Sequence, residues 1–195
     1  MTFSLCVISM PHALANVATR PGERDVHDGR PFAIVDKRHA TLSVHAADGR
    51  LLGRTAALLG SAPGDAEPLS ARGKAPDALQ PHERVTPAGR FESVPGRNLT
   101  GERVVWFNYD ANLAIHRLRP TASRERRTQR LASTDPRELR ITLGCVVVDP
   151  VFFDEVVLPA LGNGRALVYI LPERDAIVVA GSAGSAGSPR AAAAP

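Results

Sequence analysis

Ile141-Thr142-Leu143-Gly144-Cys145-Val146-Val147-Val148 is a β-type run of apolar and β-branched residues, interrupted by one glycine directly before a thiol. Asp149-Pro150 follows, an N-cap residue and then proline at the first helical position, so the strand ends where a helix begins. A cysteine in that setting is placed like a nucleophile at a strand end. The glycine lets the backbone come close to a substrate carbonyl, and consecutive amides there are positioned to donate to an oxyanion. Acyl transfer is the chemistry that this run points to.

Working outward, Phe152, Phe153, Val156, Val157 and Leu161 continue with helical spacing behind the cysteine. Residues 165–171 read as a last core strand, with 176–179 as a further short one, and the Gly-Ser-Ala repeats from Gly181 form a low-complexity tail that cannot bury a core. Upstream, Phe32-Ala33-Ile34-Val35 and Thr41-Leu42-Ser43-Val44-His45 are the first two strands, and Ala47-Asp48-Gly49 is a turn. Residues 51–59 read as one more strand, closed by Gly60. The stretch 61–83, with Pro63, Gly64, Pro68, Gly73, Pro76 and Pro81, has no sustained period and predicts a long surface loop. Thr86-Pro87-Ala88-Gly89-Arg90-Phe91 is a tight turn into a strand. Residues 104–109 and 113–118 predict a hairpin about Asp110-Ala111-Asn112, with His116 on its second arm. A short helix is predicted within 123–131.

The chain of 195 residues suits one domain with tails, and 44% hydrophobic against 23% charged residues is ordinary for a globular protein. The net charge of +4 rests almost wholly on arginine, since Lys37 and Lys74 are the only lysines. Such a balance favours acidic partners without choosing among nucleic acid, anionic polymers and carboxylate-bearing substrates. Arg117, Arg119, Arg124, Arg126, Arg127, Arg130, Arg137 and Arg140 make the densest cluster. Basic runs of this kind are usually a solvated surface, but this one lies between the two candidate catalytic residues. Cys6 and Cys145 are the only cysteines, too few for a disulfide framework or a four-thiolate zinc site. Phe3-Ser4-Leu5-Cys6-Val7-Ile8-Ser9-Met10 is a short apolar run, and Ala13-Leu14-Ala15 has the small-x-small form of a signal-peptidase site, without the usual basic start. Residues 1–15 are therefore expected to be a leader, 16–31 a polar linker, 32–175 the domain and 176–195 a strand end and tail. No stretch is long enough to span a membrane as a helix.

His116 and Cys145 are 29 positions apart, each in a β-rich segment, so they can meet across a sheet with the arginine-rich loop projecting between them. A histidine within reach of the thiol can take its proton, and the thiolate is the reactive nucleophile. His12 lies in the leader, while His27, His39, His45 and His82 show no metal-ligand spacing and are expected at the surface, with His82 on the loop before Thr86 that is long enough to close over a substrate. Trp106, Phe107 and Tyr109 are expected to pack in the core and hairpin rather than to stack bases.

Thr86-Pro87-Ala88-Gly89-Arg90-Phe91 resembles the T-P-x-G-x-F element of L,D-transpeptidase catalytic domains, and Ile141-Thr142-Leu143-Gly144-Cys145-Val146 resembles their S-x-G-C-I element. The likeness runs over about residues 32–175. It implies a mainly β, antiparallel β-sandwich-like domain with one or two short helices, expected as a monomer in the periplasm or cell envelope. The implied reaction is attack by Cys145 on a peptidoglycan stem peptide, with His116 as base, oxyanion donors on the amides of Gly144 and Cys145, and Thr142 in the place of the motif's serine. A thioester is then passed to an acceptor, and no metal or organic cofactor is needed. Leu143 and Val147 stand where the family often carries histidine and arginine or asparagine. Two other readings stay open on the sequence: a catalytically degenerate envelope-binding module of the same fold, and a basic β-rich nucleic-acid binder. The second is disfavoured by the scarcity of lysine and of interleaved exposed aromatics.

Overall fold

The computed structural model describes residues 28–120 and 125–173. The predicted leader, the Ala176–Val179 strand and the tail lie outside these residues, as do Cys6, His12 and His27. Ten strands are formed: β1 (Phe32–Asp36), β2 (Thr41–His45), β3 (Leu51–Ala56), β4 (Leu59–Gly60), β5 (Gly89–Arg97), β6 (Arg103–Asn108), β7 (Leu113–Arg117), β8 (Arg140–Thr142), β9 (Val146–Val148) and β10 (Ala166–Leu171). Eight of them make one sheet in the order β3-β2-β1-β10-β5-β6-β7-β9, and β4 pairs with β8.

Strand β5 joins two halves of this sheet. Its residues Gly89–Ser93 pair antiparallel with β10, and Val94–Arg97 pair antiparallel with β6. One long strand thus carries the chain from the amino-terminal half into the half that holds β7 and β9. Most pairings are antiparallel, as expected for a sandwich-like β domain, but β1 with β10 and β7 with β9 are parallel. Strand β10 sits between β1 and β5 and is buried on both faces, which is why Ala166-Leu167-Val168-Tyr169-Ile170 reads as a continuous apolar run rather than an alternating one.

The main core lies on one face of the sheet. Val35, Val44, Val105, Ile115, Val146, Val148 and Ile170 pack there against Phe153, Val157 and Leu161. These last three come from one helical segment made of α2 (Pro150–Phe152), a π-helical turn (Phe153–Val157) and α3 (Leu158–Leu161). The predicted cap is present: the Asp149 side chain accepts from the amides of Val151 and Phe152 at 2.9 and 3.2 Å. The π turn was not predicted. Pro159 explains it, because its ring has no N–H and in a regular helix would press on the carbonyl of residue 155, so the turn widens around it. The other helix, α1, covers only Arg127–Leu131, the later part of its predicted span. Among the described residues no helix is long and apolar enough to cross a membrane.

Residues 51–59 do not form one strand. Strand β3 pairs with β2 at the sheet edge, and then the chain leaves that sheet; Leu58 exchanges both backbone hydrogen bonds with Val147 at 2.7 and 2.9 Å, and β4 pairs with β8. The break at Ala57 is a change of sheet, set by residues some ninety positions away. The crossing delivers Gly60 to the T-P-x-G-x-F turn so closely that a Cβ on Gly60 would lie 2.3 Å from the Arg84 carbonyl oxygen and 2.7 Å from the Thr86 nitrogen.

Candidate active site

The register of β7 with β9 brings the predicted pair together. Ile115 pairs with Val146, His116 with Val147 and Arg117 with Val148. Paired residues of neighbouring strands point to the same face, so Cys145, one place before Val146, lies diagonally beside His116, packed against the edge of the core. Both side chains line one cleft of about 450 Å³. Ala114 and Val147 floor it, and Trp106 on β6 adds a wall.

Two segments build the rim. Residues 61–83, predicted as a structureless loop, carry three 3-10 turns at Leu69–Ala71, Pro76–Ala78 and Pro81–Glu83, and Pro68, Ala71 and Leu79 face the cleft. Glu83 holds this segment together, with its carboxylate accepting from Lys74 Nζ at 2.7 and 2.9 Å and from the Gln80 amide at 2.8 Å. The Lys74 ammonium beside it pulls the Glu83 carboxyl down to about 2. The β5–β6 turn forms the other rim, with Asn98, Leu99 and Thr100. Trp106 and Tyr109, expected inside the core and hairpin, instead stack edge to face at 5.3 Å on the cleft wall, and Gly96 leaves room for the indole: a Cβ there would sit 2.6 Å from it. Phe107 is in the core as expected, edge-on to Phe91.

The two sequence elements meet through one side chain. Thr86 is buried; its Oγ1 donates to the Gly144 carbonyl at 2.9 Å and accepts from the Gly60 amide at 2.8 Å. Lys37, also buried, donates to the Thr86 carbonyl at 3.0 Å and is ion-paired to Asp65 at 2.6 Å. A chain of bonds therefore runs from a buried ammonium through Thr86 to the peptide that precedes the thiol. No role had been assigned to Thr86 from sequence, although it opens the quoted motif. Thr86→Val keeps the shape and strands a buried donor and a buried acceptor, each a loss of about 1–3 kcal/mol. Urea unfolding is expected to show a destabilisation of at least about 2 kcal/mol, and an unchanged midpoint would mean that Thr86 clamps nothing.

Gly144 has φ of +131°, and a Cβ on it would lie 2.7 Å from both Leu113 and the Val85 carbonyl oxygen, so only glycine fits before the cysteine. Its amide, however, donates to Thr142 Oγ1 at 3.1 Å, while that hydroxyl donates to the Cys145 carbonyl at 2.7 Å. Thr142 is thus a brace inside the loop, and the Gly144 amide, expected to face an oxyanion, is turned onto it.

His116 Nδ1 lies 2.9 Å from the Arg117 carbonyl oxygen. A carbonyl only accepts, so Nδ1 carries the proton and Nε2 holds the lone pair. No carboxylate is needed to orient the ring. Burial holds the imidazole at about 4, with the positive charges of Arg119 and Arg127 acting in the same direction. Burial also pushes the Cys145 thiol up, against a backbone hydrogen bond at Ala114 and the same two arginines. At neutral pH the resting pair is neutral imidazole and neutral thiol. Cys145 Sγ is 3.5 Å from the Asn112 carbonyl oxygen.

The arginine cluster divides. Arg137, with 90% of its side chain exposed, pairs only with neighbouring Asp135, as a solvated surface predicts. Arg119 and Arg127 face the cleft. Arg140 turns inward to Glu173 at 2.8 Å. His39 and His82 lie at the surface, and His45 stacks on Phe32 at 4.7 Å.

No known family profile matches the chain, and no curated protein does. The chain is similar to solved L,D-transpeptidase structures. One, from Xylanimonas cellulosilytica, is 15% identical with a TM-score of 0.45, over 73% of this chain and 60% of that one. The catalytic domain from E. faecium is 15% identical with a TM-score of 0.41, over 73% of this chain and 98% of that one. The helical cell shape determining protein Pgp2 from Campylobacter jejuni is 14% identical with a TM-score of 0.47, over 77% of this chain and 49% of that one. The chain thus spans about 60% of the first of these structures and about half of the last.

Proposed function

We propose that this protein is a cysteine-dependent L,D-transpeptidase that acts on peptidoglycan stem peptides through a thioester. The observation that supports the proposal is the Thr86–Gly144 hydrogen bond, which joins the two motif elements beside the cleft that Cys145 and His116 line. In the first half-reaction the thiol sulfur attacks the amide carbon after the third stem residue while its proton passes to His116 Nε2. The carbonyl oxygen becomes an oxyanion, for which the Cys145 amide is the donor. As the C–N bond breaks, the imidazolium returns the proton to the leaving amine, which departs as D-alanine. An acceptor amine then attacks the thioester, gives its proton to His116, and expels the thiolate, which is reprotonated.

Starting from a neutral pair, charge separation occurs only as the carbonyl is attacked, so the site depends on donors in place beforehand rather than on a standing thiolate. The uses proposed for the cleft are cell-wall cross-linking or remodelling in the envelope. The test is intact-protein mass spectrometry of the full chain with a tetrapeptide-stem muropeptide. A covalent adduct with D-alanine released is the expected result. Binding without an adduct would instead favour a non-catalytic peptidoglycan-binding module, the reading to which Leu143 and Val147 lend weight.

A further inference from the structure

We propose that Arg119 and Arg127 form a carboxylate subsite beside Cys145, which takes a free carboxylate of the acyl donor within about one residue of the bond that is cleaved. Its placement relative to the scissile bond rests on the acyl-transfer reading above. Both side chains line the cleft that holds Cys145 and His116. Both belong to the stretch that links β7 to β8, and the positive charge of each acts on His116 and on Cys145.

Each guanidinium lies beside a carboxylate. Arg119 is within ion-pair distance of Glu102, 2.5 Å from Nε, although that Nε makes no hydrogen bond, and Glu102 also takes Arg117 at 3.4 Å, so one carboxylate serves two arginines. Arg127 is bound through Nε to Glu125 at 2.6 Å. A guanidinium carries five N–H donors in a planar fork, and pairing at Nε fixes the plane while the terminal nitrogens remain suited to a second carboxylate. Of the acidic residues that line the cleft, Glu67 and Glu83, Glu83 is bound to Lys74 on the opposite rim. Arg119 has 38% and Arg127 19% of the side chain exposed, which is open enough for a ligand and screened enough for the contact to count.

The two charges also act on the reaction. Both weaken His116 as a base, because they oppose the imidazolium that must form during attack. A carboxylate seated between them cancels that field. The substrate that binds is therefore the one that strengthens the base, and loss of the carboxylate lowers kcat as well as raising KM.

A stem peptide offers two carboxylates of this kind, the terminal one on the leaving D-alanine and the side-chain one on the third, diamino residue. The experiment separates them with three tetrapeptide-stem muropeptides: unmodified, amidated at the terminus, and amidated at the third residue's side chain. Binding of each is measured by calorimetry to the full chain carrying Cys145→Ala, so that no turnover is required, and kcat and KM are measured on the unsubstituted chain. Removing the carboxylate that is read is expected to weaken binding about ten- to a hundredfold, the range of a charge-assisted hydrogen bond. Adding Arg119→Gln or Arg127→Gln is expected to weaken the unmodified ligand by a similar factor and to erase the difference between it and the critical amide. Three ligands that bind alike, or arginine substitutions that weaken all three equally, would overturn the subsite. The amidated ligands answer without any arginine substitution, so a variant that fails to fold does not blunt the test. Carboxylate-dependent binding without an adduct would retain the subsite and reject the transpeptidase.

Discussion

Cys145→Ala is expected to abolish turnover and adduct formation and to leave the protein folded. In the proposed reaction the thiol forms the covalent bond, and His116 cannot replace it, since its Nδ1 is committed to the Arg117 carbonyl and its Nε2 is the proposed base. Structurally the thiol contributes little: its polar contacts are a backbone hydrogen bond at Ala114 and the 3.5 Å approach to the Asn112 carbonyl, and the residue is only partly buried. The stability change is expected near the common cost of a point substitution, about 1 kcal/mol. The backbone around it is set by Thr86, Thr142 and the conformation of Gly144, none of which the substitution touches. The measurement is D-alanine release beside a urea curve on the same preparation. Retained release with an intact fold would remove Cys145 as the nucleophile.

His116→Gln is expected to cut turnover by about 10²–10⁴-fold, the usual contribution of a positioned general base. Its pH profile identifies the role. Attack requires neutral imidazole, and burial holds His116 at about 4 instead of the ordinary 6.5, so the wild-type rate should climb through about pH 4 and be level by neutrality. The glutamine variant should lack that limb. Stability follows the same group. Because the folded value is depressed, the unfolded chain binds the additional proton between pH 6.5 and about 4, and the folded state loses stability as pH falls through that window. The variant should show a flatter acid limb. An activity midpoint near 6.5 would mean an exposed histidine, and with it a different base.

Local chemistry was legible in the sequence. The Asp149 cap and the hairpin about Asn112 are set by residues adjacent to them, and each stands where cap and turn residues put it. The β-type run to Val148 is not one strand: Gly144 with its positive φ breaks it, so that β8 pairs with β4 while β9, after Cys145, pairs with β7. Long-range pairing was not. Nothing near Phe32 announces that β1 pairs parallel with a strand more than 130 positions later, and nothing near Ala57 announces the crossing to Val147. The site was legible as chemistry and only half legible as geometry. Cys145 and His116 follow from residue type and motif order, while the Gly144 amide turns to the Thr142 hydroxyl two residues earlier, which accepts from it. Thr86 was visible as a motif letter without a role, and Arg119 and Arg127 could not be told from Arg137 until the fold placed them on the cleft.

Storing Cys145 as a neutral thiol has a consequence beyond catalysis. Peroxides and alkylating reagents consume thiolates, and the oxidation ladder from sulfenic acid upward starts there. Burial keeps the sulfur protonated, and the cation-bearing wall lowers the barrier to ionisation only in part. In the proposed mechanism the reactive form exists only while an acyl group is present to receive it. On that mechanism the resting sulfur is protected from oxidants, at the expense of a slower first chemical step.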